Sequence, residues 1–145
     1  MADRLFPKAY DDFALALVEE IKNDKPDDLV GYLQQIAQRW IARDLRELEG
    51  VRGLDRLERA KDILTQRGFM PVLEQSSGAH LLHEHNCPLM RVAVAHPEIC
   101  DMVHDWLEAL FDARLDRVHC LRQGDPDSVY IIGGSPEKSG AGHKA

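Results

Sequence analysis

The sequence predicts an α+β domain: N-terminal helices followed by antiparallel hairpins with an intervening helix, packed as one domain. Three observations carry this expectation. Apolar residues recur at three- and four-residue steps through residues 10 to 66, the period of a helix with one buried face. Beyond residue 68 the pattern breaks into short runs separated by turn formers, the signature of hairpins. The chain has 145 residues, 44% of them hydrophobic, and a chain of this size hides roughly 68–70% of its unfolded surface on folding. Its three cysteines are therefore not needed as a disulfide framework, and their odd number points to thiol or metal chemistry.

The first helix rests on Tyr10, Phe13, Leu17 and Ile21 and ends near Asn23, Asp24 and Lys25. A second begins at Pro26, whose fixed φ and missing N–H suit the first helical position, and Asp27 and Asp28 complement the helix dipole there. Its stripe is Leu29, Leu33, Ile36 and Trp40, with Leu45 and Leu48 if it continues. Gly50 and Gly53 interrupt the pattern before Leu54, Leu57, Ile63 and Leu64 form a third helix that Gly68 closes. Residues 69–75 and 79–85 flank Ser76-Ser77-Gly78 as a hairpin. Residues 87–95 suit a short helix, and Pro97 opens another with Ile99, Met102, Val103, Trp106, Leu107 and Leu110 on one face. Strands at 115–121 and 128–132 are joined by Gln123-Gly124-Asp125-Pro126-Asp127, a loop dense in turn formers. Residues 133–145 lack an apolar period and are expected to form a frayed tail, which leaves 1–132 as the domain. The stripes of the first two helices hold more apolar positions than one small sheet face needs. Either the helices pack on each other and on the sheet, or part of this surface is a dimer interface.

Charge limits the partners. With 18 Lys+Arg against 25 Asp+Glu, a net charge of −7, the chain is not expected to grip nucleic acid by itself, because such affinity comes from cations neutralising phosphates. The longest apolar run, residues 13–18, is far short of the ~20 residues that span a bilayer, and Met1-Ala2-Asp3-Arg4 does not open a signal peptide. A cytoplasmic protein without a membrane partner is expected.

Soft ligands are concentrated in one window. His80, His83, His85, Cys87, His96, Cys100, His104, His119 and Cys120 fall within about forty residues, and thiolates and imidazoles are what zinc and iron–sulfur clusters use. No CxxC pair occurs, and the cysteine separations match no zinc finger. Each residue also has a plain structural role. Cys100 lies beside an apolar stripe, where a thiol is usually a small core hydrophobe. Cys100 and His104 are one helical turn apart and can reach one metal, a spacing equally natural for a core thiol beside a solvent-facing His. His83, His85 and Cys87 share a face if the strand continues, but Pro88 argues against continuation and His83 then belongs to the surface. Cys120 adjoins His119, and neighbours on a strand point to opposite faces, which counts against a nucleophile–base pair. GxSxG, P-loop, GxGxxG and HExxH patterns are all missing, and the pairs Asp11-Asp12, Glu19-Glu20 and Asp27-Asp28 fall on solvated helix faces. An enzyme is not expected.

The segment His85-Asn86-Cys87-Pro88-Leu89, then Val92-Ala93, His96-Pro97-Glu98-Ile99-Cys100, and later Gly124-Asp125 before Tyr130-Ile131-Ile132, resembles the C-terminal effector domain of SufR-type winged-helix transcriptional regulators. Leu5-Phe6-Pro7-Lys8-Ala9-Tyr10 is similar to the stretch that follows the winged helix in those proteins. The resemblance implies a regulator of the DeoR/ArsR-like class: a homodimer that binds DNA only through a winged-helix module absent from these residues, with a C-terminal sensor holding an iron–sulfur cluster through cysteines. Cys87 and Cys100 match two ligand positions. The third falls on Ser128, a poor ligand beside thiolate. Cys120 replaces it if the hairpin pairs residue 120 with residue 128, and a loop one residue different turns Cys120 to the other face. His96, His85, His104 or an Asp would then supply the fourth ligand. The expected function is a sensor and dimerisation domain responding to a cluster, or to a metal such as zinc; the alternative is a metal-free small-molecule-binding or purely structural dimerisation domain with its cysteines in the core.

Overall fold

The computed structural model describes residues 9–133. Helix α1 spans Tyr10–Asp24; a 3₁₀ turn at Pro26–Asp28 leads into α2, Leu29–Leu45, which tightens into a second turn at Arg46–Leu48; α3 spans Gly53–Gln66. A hairpin of β1 (Pro71–Ser76) and β2 (Ala79–Glu84) follows, then α4 (Met90–Ala95), α5 (Glu98–Phe111), β3 (Leu115–His119) and β4 (Ser128–Ile132). The four strands form one antiparallel sheet in the order β1-β2-β4-β3, so the two hairpins meet along β2 and β4. The α+β class with helices first and hairpins after is thus the observed one.

Helix α5 lies at the centre because its apolar face is the broadest in the chain. Ile99, Met102, Val103, Trp106, Leu107, Leu110 and Phe111 are all buried. Trp106 meets Trp40 of α2 edge-on at 5.5 Å and the Phe69 ring at 5.6 Å, an arrangement the ring quadrupoles favour. The sheet turns Leu73, Leu82, Leu115 and Tyr130 toward this core, on the alternation a strand imposes.

The Asp44 carboxylate and the end of α5 are matched by donors. Asp44 is fully buried and receives the Arg43 fork at 2.9 Å on each oxygen, Arg67 Nη2 at 2.6 Å and the Trp106 indole N–H at 2.8 Å. The Arg56 guanidinium donates to the carbonyls of Leu110 (2.8 Å) and Ala109 (3.0 Å), capping the C-terminus of α5.

The expected elements form, with differences at their faces and ends. In α1 the stripe of Tyr10, Phe13 and Leu17 points outward, 72%, 68% and 50% exposed, while Ala14, Leu15, Val18 and Ile21 pack inward. Leu54 of α3 is likewise exposed, with Ala60, Ile63 and Leu64 carrying the burial. Strand β2 stops at Glu84 and β3 at His119, short of the expected 85 and 121. The expected tail, apart from Gly133, and residues 1–8 lie outside the described residues. No helix among the described residues is long and apolar enough to cross a membrane.

Candidate metal centre

Strand alternation decides what β2 offers to each side. Leu82 and Glu84 face inward, whereas His83 and His85 share the outer face, their rings stacked with centroids 6.2 Å apart. The chain leaves the strand after Glu84, and the Cys87 carbonyl accepts the Met90 N–H at 3.0 Å, so Cys87 sits just before α4. Cys100 lies in the first turn of α5, its N–H donating to the Pro97 carbonyl at 2.9 Å.

Cys120 is placed by an irregularity. Residues 115, 116 and 117 pair with 132, 131 and 130, but after a bulge His119 pairs with Val129. Arg117 and Cys120 are three apart, a separation that puts side chains on opposite faces of a regular strand; the extra residue restores them to one side. The pairing ends there, with Cys120 just beyond the strand, so the expected pairing of residue 120 with residue 128 is not among the ladder pairs. The turn is held by the Cys120 N–H donating to Asp125 Oδ2 at 2.8 Å and the Leu121 N–H donating to Ser128 Oγ at 2.9 Å.

These three placements converge. Cys87, Cys100, Cys120 and Ser128 line a single cavity of about 40 Å³, together with Glu84, Arg117 and Arg122 and a wall that includes Phe69, Met90, Val103 and Tyr130. All three cysteines are free thiols. Burial pushes the Cys87 thiol up to about 11, the Leu89 backbone opposing and Cys100, Glu84 and Cys120 adding to it. Burial also lifts Tyr130 to about 12 against the neighbouring Arg117, and Glu84 to about 8, offset only in part by the Met70 backbone. Glu84 is 3% exposed, and apart from the Met70 backbone neither of its oxygens is engaged by a hydrogen-bonding group. The buried Arg122 Nε is unpartnered. The Glu84 carboxyl and the Arg122 Nε therefore line one cavity without pairing with each other, and buried polar atoms left so are uncommon in folded proteins.

The histidines expected as ligands are elsewhere. His85 is exposed on the outer side of the sheet, because the strand face reverses between Glu84 and His85. His96 is buried against α1, where Lys22 Nζ donates to its Nδ1 at 3.2 Å and Glu19 lies 3.8 Å from Nε2. His104, one turn from Cys100, turns away to donate from Nε2 to the Leu115 carbonyl at 2.7 Å. Among the described residues, the group of three potential ligands lying within 4.8 Å of one another is His104, Asp105 and Glu108. It has a structural occupation: Glu108 Oε2 accepts the Leu115 N–H at 2.9 Å while His104 holds the Leu115 carbonyl, together fixing the start of β3. His83 is clamped between Asp127 (3.0 Å) and Glu74 (2.6 Å); its pKa is raised by the hydrogen bond to Asp127, against burial and with help from Glu74.

Sequence reasoning therefore found the three thiols and missed Glu84, Arg117 and Arg122. The period-two pattern held the signal for Glu84, since it shares a face with Leu82, a natural core residue. Chemically the cavity offers three soft sulfur donors, the oxygens of Glu84, Ser128 and Tyr130, and two cations at an apolar wall. No histidine lines it, so it contains no thiol–imidazole pair. The chain matches no protein-family model, no curated protein and no solved structure.

Proposed function

We propose that this is the sensor and dimerisation domain of a bacterial transcriptional regulator, and that its cavity takes an iron–sulfur cluster through Cys87, Cys100 and Cys120. The observation that carries this reading is the meeting of all three cysteines, from three separate segments, in one cavity. A protein gains little by gathering its only thiols unless they share a ligand. Their spread favours a cluster over a single ion. With Zn–S near 2.3 Å, thiolates on one tetrahedral ion lie about 3.8 Å apart, and the three thiols do not form a group within 4.8 Å. Arg117 and Arg122 suit the negative charge that a thiolate-ligated cluster carries. The regulator assignment draws on the resemblance of residues 85–100 to SufR-type effector domains, and the dimer on the outward stripe of α1.

When bound, the cluster supplies one-electron redox chemistry and sensitivity to oxygen or to iron supply. The chain's own residues hold it and pass on its state. Each cysteine sheds its proton to bind. Phe69, Val103 and Tyr130 shield the site from bulk water, while Cys87 and Cys100 bracket α4 and so tie the position of that helix to occupancy.

The test is anaerobic purification, then iron, acid-labile sulfide and zinc analysis per chain, with a visible absorption spectrum. Iron with matching sulfide and a sulfur-to-iron charge-transfer band is the expected result, lost in the double variant Cys87→Ala/Cys100→Ala. Zinc alone would replace the cluster by a structural or metal-sensing ion. No metal after reconstitution with ferrous iron and sulfide would overturn the reading and favour a metal-free domain.

A further inference from the structure

We propose that Glu84 is the fourth protein ligand of the centre, binding one iron through its carboxylate beside the three thiolates. This rests on the thiolate-held centre argued above and goes beyond it by completing the ligand set from a residue type that neither the cysteine pattern nor the histidine cluster suggests.

Three observations carry it. Glu84 lines the same cavity as Cys87, Cys100 and Cys120. Its side chain is almost wholly buried, yet no side chain hydrogen-bonds either oxygen and the Met70 backbone compensates its burial only in part. A buried polar group without a hydrogen bond costs about 1–3 kcal/mol, more when charged, and a sequence with no use for the carboxylate loses nothing by placing Gln or Leu there. Finally, the competing ligands are engaged elsewhere. His96 meets Lys22, His104 holds the Leu115 carbonyl, His85 is on the outer face, and the Ser128 hydroxyl oxygen accepts the Leu121 N–H. Of the oxygen donors that line the cavity, Ser128 holds the Leu121 N–H and Tyr130 pairs with Arg117, whereas no side chain engages Glu84.

The position follows from the fold. Glu84 ends β2, paired with Ser128 of β4, and the Leu121 N–H, next to Cys120, donates to that same Ser128 from the far side. Glu84 and Cys120 thus come to the cavity from either side of Ser128, with Cys87 and Cys100 arriving from the helical side. A carboxylate is a weaker and more exchangeable ligand for iron than thiolate, so the iron it holds is the one most readily released or exposed to an incoming small molecule. That asymmetry suits a sensor rather than an electron carrier.

The experiment compares wild type, Glu84→Gln, Glu84→Cys and Cys87→Ala, each reconstituted anaerobically with ferrous iron and sulfide. The readouts are iron and sulfide per chain, the rate of iron loss to a chelator, the EPR spectrum of the reduced protein, and apo-protein thermal stability. Glu84→Gln is expected to fold at least as well as wild type without metal, since it removes a buried carboxylate that no side chain engages. It should nonetheless lose iron at least about tenfold faster. Glu84→Cys should restore retention with an altered EPR signal, which rescue of packing alone would not produce. Equal loading, equal loss rate and an unchanged spectrum in Glu84→Gln would overturn the role of Glu84 while leaving the thiolate centre standing. Failure of wild type to load, like Cys87→Ala, would overturn the centre itself and Glu84 with it.

Discussion

At the scale of single residues, two buried carboxylates receive opposite treatment. Asp44 is surrounded by donors: burial alone would raise its pKa, but the hydrogen bonds from Arg43, Arg67 and Trp106 hold it below the ordinary carboxylate value. No side chain donates to Glu84. The difference marks Asp44 as structural and Glu84 as available. Asp44→Ala leaves Arg67 and the Trp106 N–H facing a void, and is expected to cost about 3–5 kcal/mol in urea unfolding at neutral pH. A group whose folded pKa is depressed stabilises fully above its unfolded value and loses that contribution as pH falls through the folded value. Wild type should therefore lose stability more steeply than Asp44→Asn as pH drops below the ordinary aspartate range; parallel curves would mean that Asp44 is not ionised in the fold. Both residues were legible in part. Asp44 falls on the helical sequence Leu33, Ala37, Trp40, Asp44, and Glu84 alternates with Leu82, so each occupies a core position by period. The identity of their partners was not legible, because Trp106 and Arg67 are brought to Asp44 across 62 and 23 residues of chain.

At the scale of elements, turns with local chemistry were readable and the bulge was not. The β1–β2 turn has Ser77 at φ 52° and Gly78 at φ 80°, and two consecutive positive values are what a two-residue hairpin of the right-handed twist requires. Glycine adopts this without cost, whereas serine does not. Ser77→Asn, which tolerates the left-handed region better, is expected to stabilise the domain by about 0.5 kcal/mol, seen as a rise in Tm; Ser77→Val should lower it. A Tm unchanged by both would mean that the hairpin turn does not limit stability. The irregularity between Arg117 and His119 has no such signature, since Leu-Asp-Arg-Val-His contains neither Gly nor Pro. It is set by the competition between β3 pairing and the Cys120–Asp125 turn, and it decides on which face Cys120 lies. The helices α2 and α5 were the most legible elements because their apolar faces are broad. Helix α1 was legible as a helix, yet its orientation was not, since Tyr10, Phe13 and Leu17 on one side compete with Ala14, Leu15, Val18 and Ile21 on the other.

At the scale of the whole molecule, α1 connects the cavity to the surface. It contains no fully buried residue and is fastened by ion pairs to the segment between two of the thiols: Asp12 to Arg91 of α4, and Lys22 to Glu98 at the start of α5 at 3.0 Å, with His96 beside it. Under the proposed function, a ligand that draws Cys87 and Cys100 together would shift α4 and, through these contacts, α1. The far side of α1 presents Tyr10, Phe13 and Leu17 as one apolar stripe, which an isologous two-fold contact would bury twice over. Phe13 is 68% and Leu17 50% exposed, so burying the exposed parts on both protomers is worth about 3.5–7 kcal/mol gross at 1.5–3 kcal/mol per fully exposed side chain. Micromolar association needs about 8 kcal/mol net of the entropy lost on binding, so these side chains contribute to a self-interface but do not supply it alone. Replacing both by glutamate, Phe13→Glu/Leu17→Glu, is expected to turn a dimer into a monomer in sedimentation equilibrium, with the far-UV circular dichroism and the iron content unchanged. Iron loss in that variant would instead make α1 part of the site's support. A wild-type chain that stays monomeric at high concentration would remove the stripe as a self-interface and leave it to a different partner, while the cavity chemistry, which lies on the other side of α4, would be untouched by that result.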